Sequence, residues 1–218
     1  AAIEVMQDLH HKLVSVPGEL ARSFKQDLPR RVVRRWQHYV RDDAESRGIP
    51  VPEEMDKLRE LYSRYGTTLL VALCTSRMIL LGQIGDGNMM LINAKGHAEM
   101  LFANRSDELV GNATFSLCSD QSHLLWLTAQ RSVEGKPTLL LMSTDGLSNS
   151  FDSDQSYQAF AVSLWESIRA KSVHAFRDYF PGMLRDFTER GSGDDITMAL
   201  RFFAEPHIDS NRSAKEGD

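Results

Sequence analysis

The first 65 residues carry their apolar side chains at helical spacing. Ile3, Met6, Leu9 and Leu13 recur every three or four positions, which puts them on one face of a helix over residues 1–14. Pro17 and Gly18 interrupt the pattern. A second helical stretch is predicted over residues 20–46, with Pro29 at a kink or restart. Ile49-Pro50-Val51-Pro52 reads as an extended connector, and Met55, Leu58, Leu61 and Tyr62 mark a third helix over residues 53–65.

At Gly66 the period shortens. Residues 67–75 (TTLLVALCT) and 78–84 (MILLGQI) are short, apolar and rich in strand formers, and residues 89–93 and 98–102 flank a turn at 93–96. Together they predict a meander of antiparallel strands. Residues 105–121 are polar and irregular, which predicts a surface excursion, and residues 123–128 read as a further strand. Residues 137–143 (PTLLLMS) form a continuous apolar run, the pattern of a strand buried on both faces, and it stops at Thr144-Asp145-Gly146. Helical spacing returns over 154–190 with Phe160, Leu164, Ile168, Phe176, Phe180, Leu184 and Phe187, and a last strand is predicted over 196–203. Helices, strands, helices and a strand in that order predict an α+β fold with sheets inside and helices outside. Residues 1–204 are expected to form one domain and residues 205–218 a polar tail.

Composition narrows the classes. Of 218 residues, 42% are hydrophobic and 25% charged, as in ordinary globular proteins. No run approaches the ~18 apolar residues of a membrane span, and no basic stretch precedes an apolar one near the N-terminus. A cytoplasmic protein without a membrane partner is expected. Cys74 and Cys118 lie far apart without CxxC spacing, which argues against a disulfide framework and a zinc site and predicts two buried thiols. The net charge of −5 speaks against a nucleic-acid partner. Charge is uneven, however: Arg30, Arg31, Arg34, Arg35 and Arg41 cluster, with Trp36 and Tyr39 among them. A solvated helix face with snorkelling stems is the simpler reading of that cluster, against a surface that docks an acidic partner or nucleic acid.

The chemical signal lies in three segments that set an acid beside an apolar strand: Ile84-Gly85-Asp86-Gly87, Ser143-Thr144-Asp145-Gly146 and Gly193-Asp194-Asp195-Ile196-Thr197. A strand running into Asp-Gly holds a carboxylate at the rim of a sheet, and the glycine lets the chain turn without crowding it. Hard oxygen ligands converging at a rim suit Mg²⁺ or Mn²⁺. Singly, each segment also fits a plain turn.

In order and spacing, Gly66-Thr67-Thr68, Gly85-Asp86, Ser143-Thr144-Asp145-Gly146-Leu147 and Asp194-Asp195-Ile196-Thr197 resemble the PP2C/PPM family of metal-dependent protein serine/threonine phosphatases. Asp145-Gly146-Leu147-Ser148-Asn149-Ser150-Phe151 and Thr114-Phe115-Ser116-Leu117-Cys118 look closest to its bacterial branch. The resemblance implies an α-β-β-α sandwich of antiparallel sheets flanked by helices. It further implies that Asp145 and Asp194 are the core metal ligands and the catalytic pair, and that Asp86 serves a third, weaker metal site. By the same resemblance Gly146 allows close approach at the metals, Asp195 positions Asp194 or a water, and Thr67 and Thr68 play supporting roles. Two or three Mn²⁺ or Mg²⁺ ions would activate a water for attack on a phosphoserine or phosphothreonine of a protein substrate, two of them about 3.5–4 Å apart.

The chain departs from the family in one respect. The acid pair of the family's first strands and its Asp-Gly-His-Gly motif have no counterpart, and about 40–60 residues of an ordinary domain are expected to be absent, N-terminal strands included. Sheet edges would then be open to dimerisation or strand swapping. Two functions follow from the resemblance: a working phosphatase, or a catalytically impaired PP2C-like scaffold that binds a partner protein. The three rim carboxylates favour the first, because a pure binding scaffold has no need of them. His38, His97, His123 and His174 show no ligand spacing, and Ser143 and Ser148 lack the turn of a serine hydrolase.

Overall fold

The computed structural model describes residues 1–102, 114–135, 137–171 and 173–203. Among them the helices are α1 (Ala2–Leu13), α2 (Pro17–Gln26), α3 (Leu28–Ser46), α4 (Met55–Ser63), α5 (Asp145–Ser148), α6 (Asp154–Lys171) and α7 (Val173–Phe187). The strands are β1 (Leu69–Cys74), β2 (Met78–Ile84), β3 (Asn88–Asn93), β4 (Ala98–Leu101), β5 (Leu127–Ser132), β6 (Pro137–Ser143) and β7 (Met198–Phe202). The chain forms two compact units, residues 1–87 with 102–135 and residues 88–101 with 136–218. The fold is α+β, and no helix among the described residues is long and apolar enough to cross a membrane.

In the first unit, Pro17 opens α2 instead of merely interrupting a helix, and Pro29 lies in the first turn of α3. Both sit where the backbone N–H they lack would have had no helical partner. Helix α3 buries Leu28, Val32, Val33, Trp36, Val40 and Ala44 along one stripe. Trp36 therefore belongs to the core, 5.4 Å from the Tyr62 ring, and not to the basic face around it. Helix α1 is tied to α3 by Arg31–Asp8, Arg35–Glu4 and Tyr39–Glu4 contacts. Cys74 and Cys118 are half-buried, more exposed than the sequence predicts.

The first sheet has the order β1-β2-β5, all antiparallel, with every residue of β2 buried. The expected meander breaks here. Strand β2 takes β5 as its second neighbour, and β3 starts a different sheet, because the turn at residues 85–87 carries the chain out of β2's register. The strand expected over 123–128 is displaced as well: Ser122–Leu124 form a 3-10 turn, Trp126 is buried and pairing begins at Leu127.

The second unit holds a four-stranded antiparallel sheet of order β4-β3-β6-β7. Asn93 closes the β3–β4 hairpin by accepting the N–H groups of Lys95 and His97 on its side-chain oxygen. Strand β6 lies inside the sheet, and Leu139, Leu140 and Leu141 are at most 2% exposed. That burial explains its unbroken apolar run. Met90, Ile92, Leu139 and Leu141 pack with Leu147 of α5 and with Tyr157, Ala161, Leu164, Trp165 and Ile168 of α6.

Tyr157 is 1% exposed and its hydroxyl lies 3.0 Å from the Ser143 hydroxyl at the end of β6. Burial pushes its phenol up to about 12, while the bond to Ser143 pulls weakly the other way. In the unfolded chain the same phenol ionises near 10. Its contribution to stability is therefore complete below pH 10 and is lost as the pH rises toward 12. A loss of about 2–3 kcal/mol across that window is expected from the shift. Urea unfolding from pH 9 upward should show this loss in the native protein and a flatter dependence in Tyr157→Phe; parallel curves would contradict it.

Candidate functional site

The site is built where β6 ends. Ser143 is the last residue of the strand, Thr144 is extended (φ −64°, ψ 159°), and Asp145 starts the single helical turn of α5. Thr144 ties this corner to the approach to β7 through three hydrogen bonds. Its N–H donates to the Thr197 carbonyl at 3.0 Å, its hydroxyl oxygen accepts the Thr197 N–H at 3.0 Å, and its O–H donates to the Asp195 carbonyl at 3.2 Å. The two acidic segments, 50 residues apart in sequence, thus become neighbours.

Gly146 is what permits their closeness. A Cβ at this position would stand 3.0 Å from the Asp195 carbonyl oxygen and 3.3 Å from the Asp194 Cβ. Around the acids a set of small polar groups fixes backbone and carboxylates. Asn149 Nδ2 donates to Asp145 Oδ2 at 3.2 Å, and Ser148 donates to the Asp145 carbonyl at 3.0 Å while accepting Asn88 Nδ2 at 2.7 Å. Ser150 donates to the Gly146 carbonyl at 2.9 Å and accepts the Ser192 N–H at 3.1 Å. The Asp195 N–H donates to Asp194 Oδ1 at 2.8 Å. Asp145 is half-buried, whereas Asp194 and Asp195 are exposed. Among the described residues, no Lys or Arg forms an ion pair with Asp194 or Asp195.

Asp86 belongs to the first unit and is exposed. Thr114 donates to its Oδ2 at 2.6 Å. The turn that carries it is held from below by Gln83, whose Nε2 donates to the Gly85 carbonyl at 3.0 Å and to the Gly87 carbonyl at 2.6 Å. Gly85 has φ +106°, and a Cβ there would fall 2.3 Å from that of Thr68, so only glycine fits. Thr68 thus shapes the turn, and Thr67 accepts the Leu117 N–H on its carbonyl. Residues 105–113 of the polar excursion lie outside the described residues.

The donor chemistry fits an oxygen-preferring divalent ion. Magnesium is commonly held by one or two carboxylates with water completing its shell, and Asp145 with Asp194 can supply that much. Among the described residues no group of three or more His, Cys, Asp or Glu side chains could hold a metal ion. A closed zinc site is therefore not a match.

The protein phosphatase 2C family model matches residues 1–180. The chain belongs to the protein phosphatase 2C family. No curated protein matches the sequence. Among solved structures, a bacterial serine phosphatase is similar at 15% identity, with 85% of this chain and 68% of that one covered and a TM-score of 0.53. The serine/threonine phosphatase Stp1 from Staphylococcus aureus is similar at 15% identity, covering 82% of this chain and 66% of its own, with the same TM-score. These likenesses show the PP2C fold. The family match ends before Asp194, so the tie between Asp194 and the Asp145 corner stands on the Thr144 bonds and the Gly146 contact.

Reading the sequence alone missed Gln83 as a supporting residue. Its signal was present: a single amide inside an apolar strand, just ahead of Gly85-Asp86-Gly87. Replacing it by leucine leaves the Gly85 and Gly87 carbonyls without their donor. Gln83→Leu should lower stability by about 2–3 kcal/mol in urea unfolding, and a change under about 0.5 kcal/mol would show the amide to be dispensable.

Proposed function

We propose that this PP2C-family protein hydrolyses phosphoserine and phosphothreonine in protein substrates with the help of Mn²⁺ or Mg²⁺, using Asp145 and Asp194 as the principal metal-holding and catalytic pair. The observation that carries the proposal is the convergence of Asp145-Gly146 and Asp194-Asp195 at one corner, laced by Thr144. A divalent ion bound there supplies a water of lowered pKa and a positive partner for phosphoryl oxygens.

The chain's own residues have separable tasks in this reading. Asn149 orients the Asp145 carboxylate, and the Asp195 backbone N–H fixes one oxygen of Asp194. Gly146 keeps the space between them clear of a side chain. Asp86, steadied by Thr114 and Gln83, is assigned to a further, weaker metal position. The exposure of Asp194 and Asp195 leaves the corner accessible to a bulky phosphoprotein.

A second reading has one observation in its favour. With no group of three ligating side chains among the described residues, an ion at this corner leans on two carboxylates. A weakly metallated PP2C scaffold that binds a partner protein without turnover is the function that would follow.

Hydrolysis of an aryl phosphate and of a phosphothreonine peptide, with and without Mn²⁺, separates the two. Turnover that requires Mn²⁺ and falls by about two orders of magnitude or more in Asp145→Asn is expected. A folded protein with no turnover at any Mn²⁺ concentration would overturn the enzyme reading.

A further inference from the structure

The five arginines that cluster in the sequence do not act as one group. Arg31 and Arg35 are engaged within the unit, with Asp8 and Glu4 of α1, and Arg41 donates to the Tyr62 hydroxyl at 2.9 Å. Arg30 and Arg34 are different. Both are exposed, they stand one turn apart on α3, and neither has an ion-pair partner among the described residues.

Both line a groove of about 410 Å³ formed by α1, α2 and α3. Its other lining residues are Leu9, Lys12 and Leu13 from α1, Ser23 from α2, Asp27 at the α2–α3 junction, and Arg31. Lys12 and Arg31 share Asp8, which offsets part of their charge. Asp27 adds one carboxylate to the wall. The groove still carries a positive excess in a chain whose net charge is −5. Leu9 and the half-buried Leu13 give it an apolar component.

We propose that this groove docks an extended acidic segment of a partner protein, with carboxylates at alternate positions on Arg30 and Arg34 and an apolar side chain beside Leu9 and Leu13. The pitch agrees. Residues four apart on a helix are separated by about 6 Å along its axis, and side chains two apart on an extended peptide by about 6.6 Å. Each guanidinium offers a planar fork that suits a carboxylate. The wall carboxylate of Asp27 sets a limit, because it tolerates spaced acids better than a continuous polyanion.

That limit, with the absence of aromatics, separates a peptide from a nucleic acid. Single-stranded nucleic acids are commonly held by aromatic platforms on which bases stack, and no aromatic residue lines the groove. Trp36 is turned into the core and Tyr39 is engaged with Glu4.

Fluorescence anisotropy with a labelled peptide of alternating glutamates ending in leucine tests this directly. Binding by the full chain is expected, and it should weaken between roughly 50 and 300 mM salt. The double variant Arg30→Glu, Arg34→Glu should bind at least about tenfold more weakly. Arg64→Glu, just after α4 and outside the groove, should bind as the native chain does, and Asp27→Asn should bind more tightly. Circular dichroism confirms that each variant is folded. Absence of peptide binding, an unchanged affinity in the folded double variant, or tighter binding of a single-stranded oligonucleotide of equal charge would each overturn the proposal.

Discussion

The candidate site depends on one strand pairing, that of β6 with β7. Its register sets Ser143 opposite Met198, and Thr144 and Thr197, just beyond the strands, continue the contact with one backbone and one side-chain bond, while the Thr144 hydroxyl also donates to the Asp195 carbonyl. The threonine is suited to this corner because one hydroxyl both donates and accepts. Without that register the Asp145-Gly146 and Asp194-Asp195 segments would not meet at one corner. A slip of one residue would also exchange the side chains of the two buried faces of β6. The leucines that fix β6 in the interior are thus the same feature that fixes the chemistry at its end.

Much of this was legible from residue pattern. The unbroken apolar run of residues 137–143 stood out as an interior strand, and the Asp-Gly that follows it marked the rim. The helices of the first 65 residues are readable from spacing, although Pro17, which interrupts the apolar series, is the start of α2. What pattern could not supply was partnership between strands. Nothing local to MILLGQI says that its neighbour is LTAQRS, some 45 residues on, and not the nearer NMMLIN. Both candidates are short strands of acceptable composition, and only the turn geometry at Gly85 decides between them. Trp36 was a different kind of miss. Its place in a basic stretch drew attention to charge, whereas the series Leu28, Val32, Trp36 and Val40 already placed it on the buried stripe.

The acids themselves show a division between rigid support and open display. Their backbones are held by Thr144, Ser148 and Ser150, and the Asp145 carboxylate by Asn149, all small groups with short reach, while the carboxylates of Asp194 and Asp195 face solvent. An exposed carboxylate loses little hydration before an ion arrives, so binding is governed by how well its position is fixed in advance. The same division holds at Asp86, where a buried amide grips the flanking carbonyls and the acid stands free of the sheet. Sites of this kind place their precision in the main chain.

The two units are interleaved along the chain, which passes between them three times, after residues 87, 101 and 135. During synthesis the β3–β4 hairpin of the second unit emerges before β5, the strand that completes the first sheet. Neither unit can therefore finish folding as the chain leaves the ribosome in order. The first waits for a late strand, and the second waits for β6 and β7. Such non-local pairing slows folding and leaves β2 with an unpaired edge in the interval. A chain interrupted between β4 and β5 would lack a complete sheet in either unit.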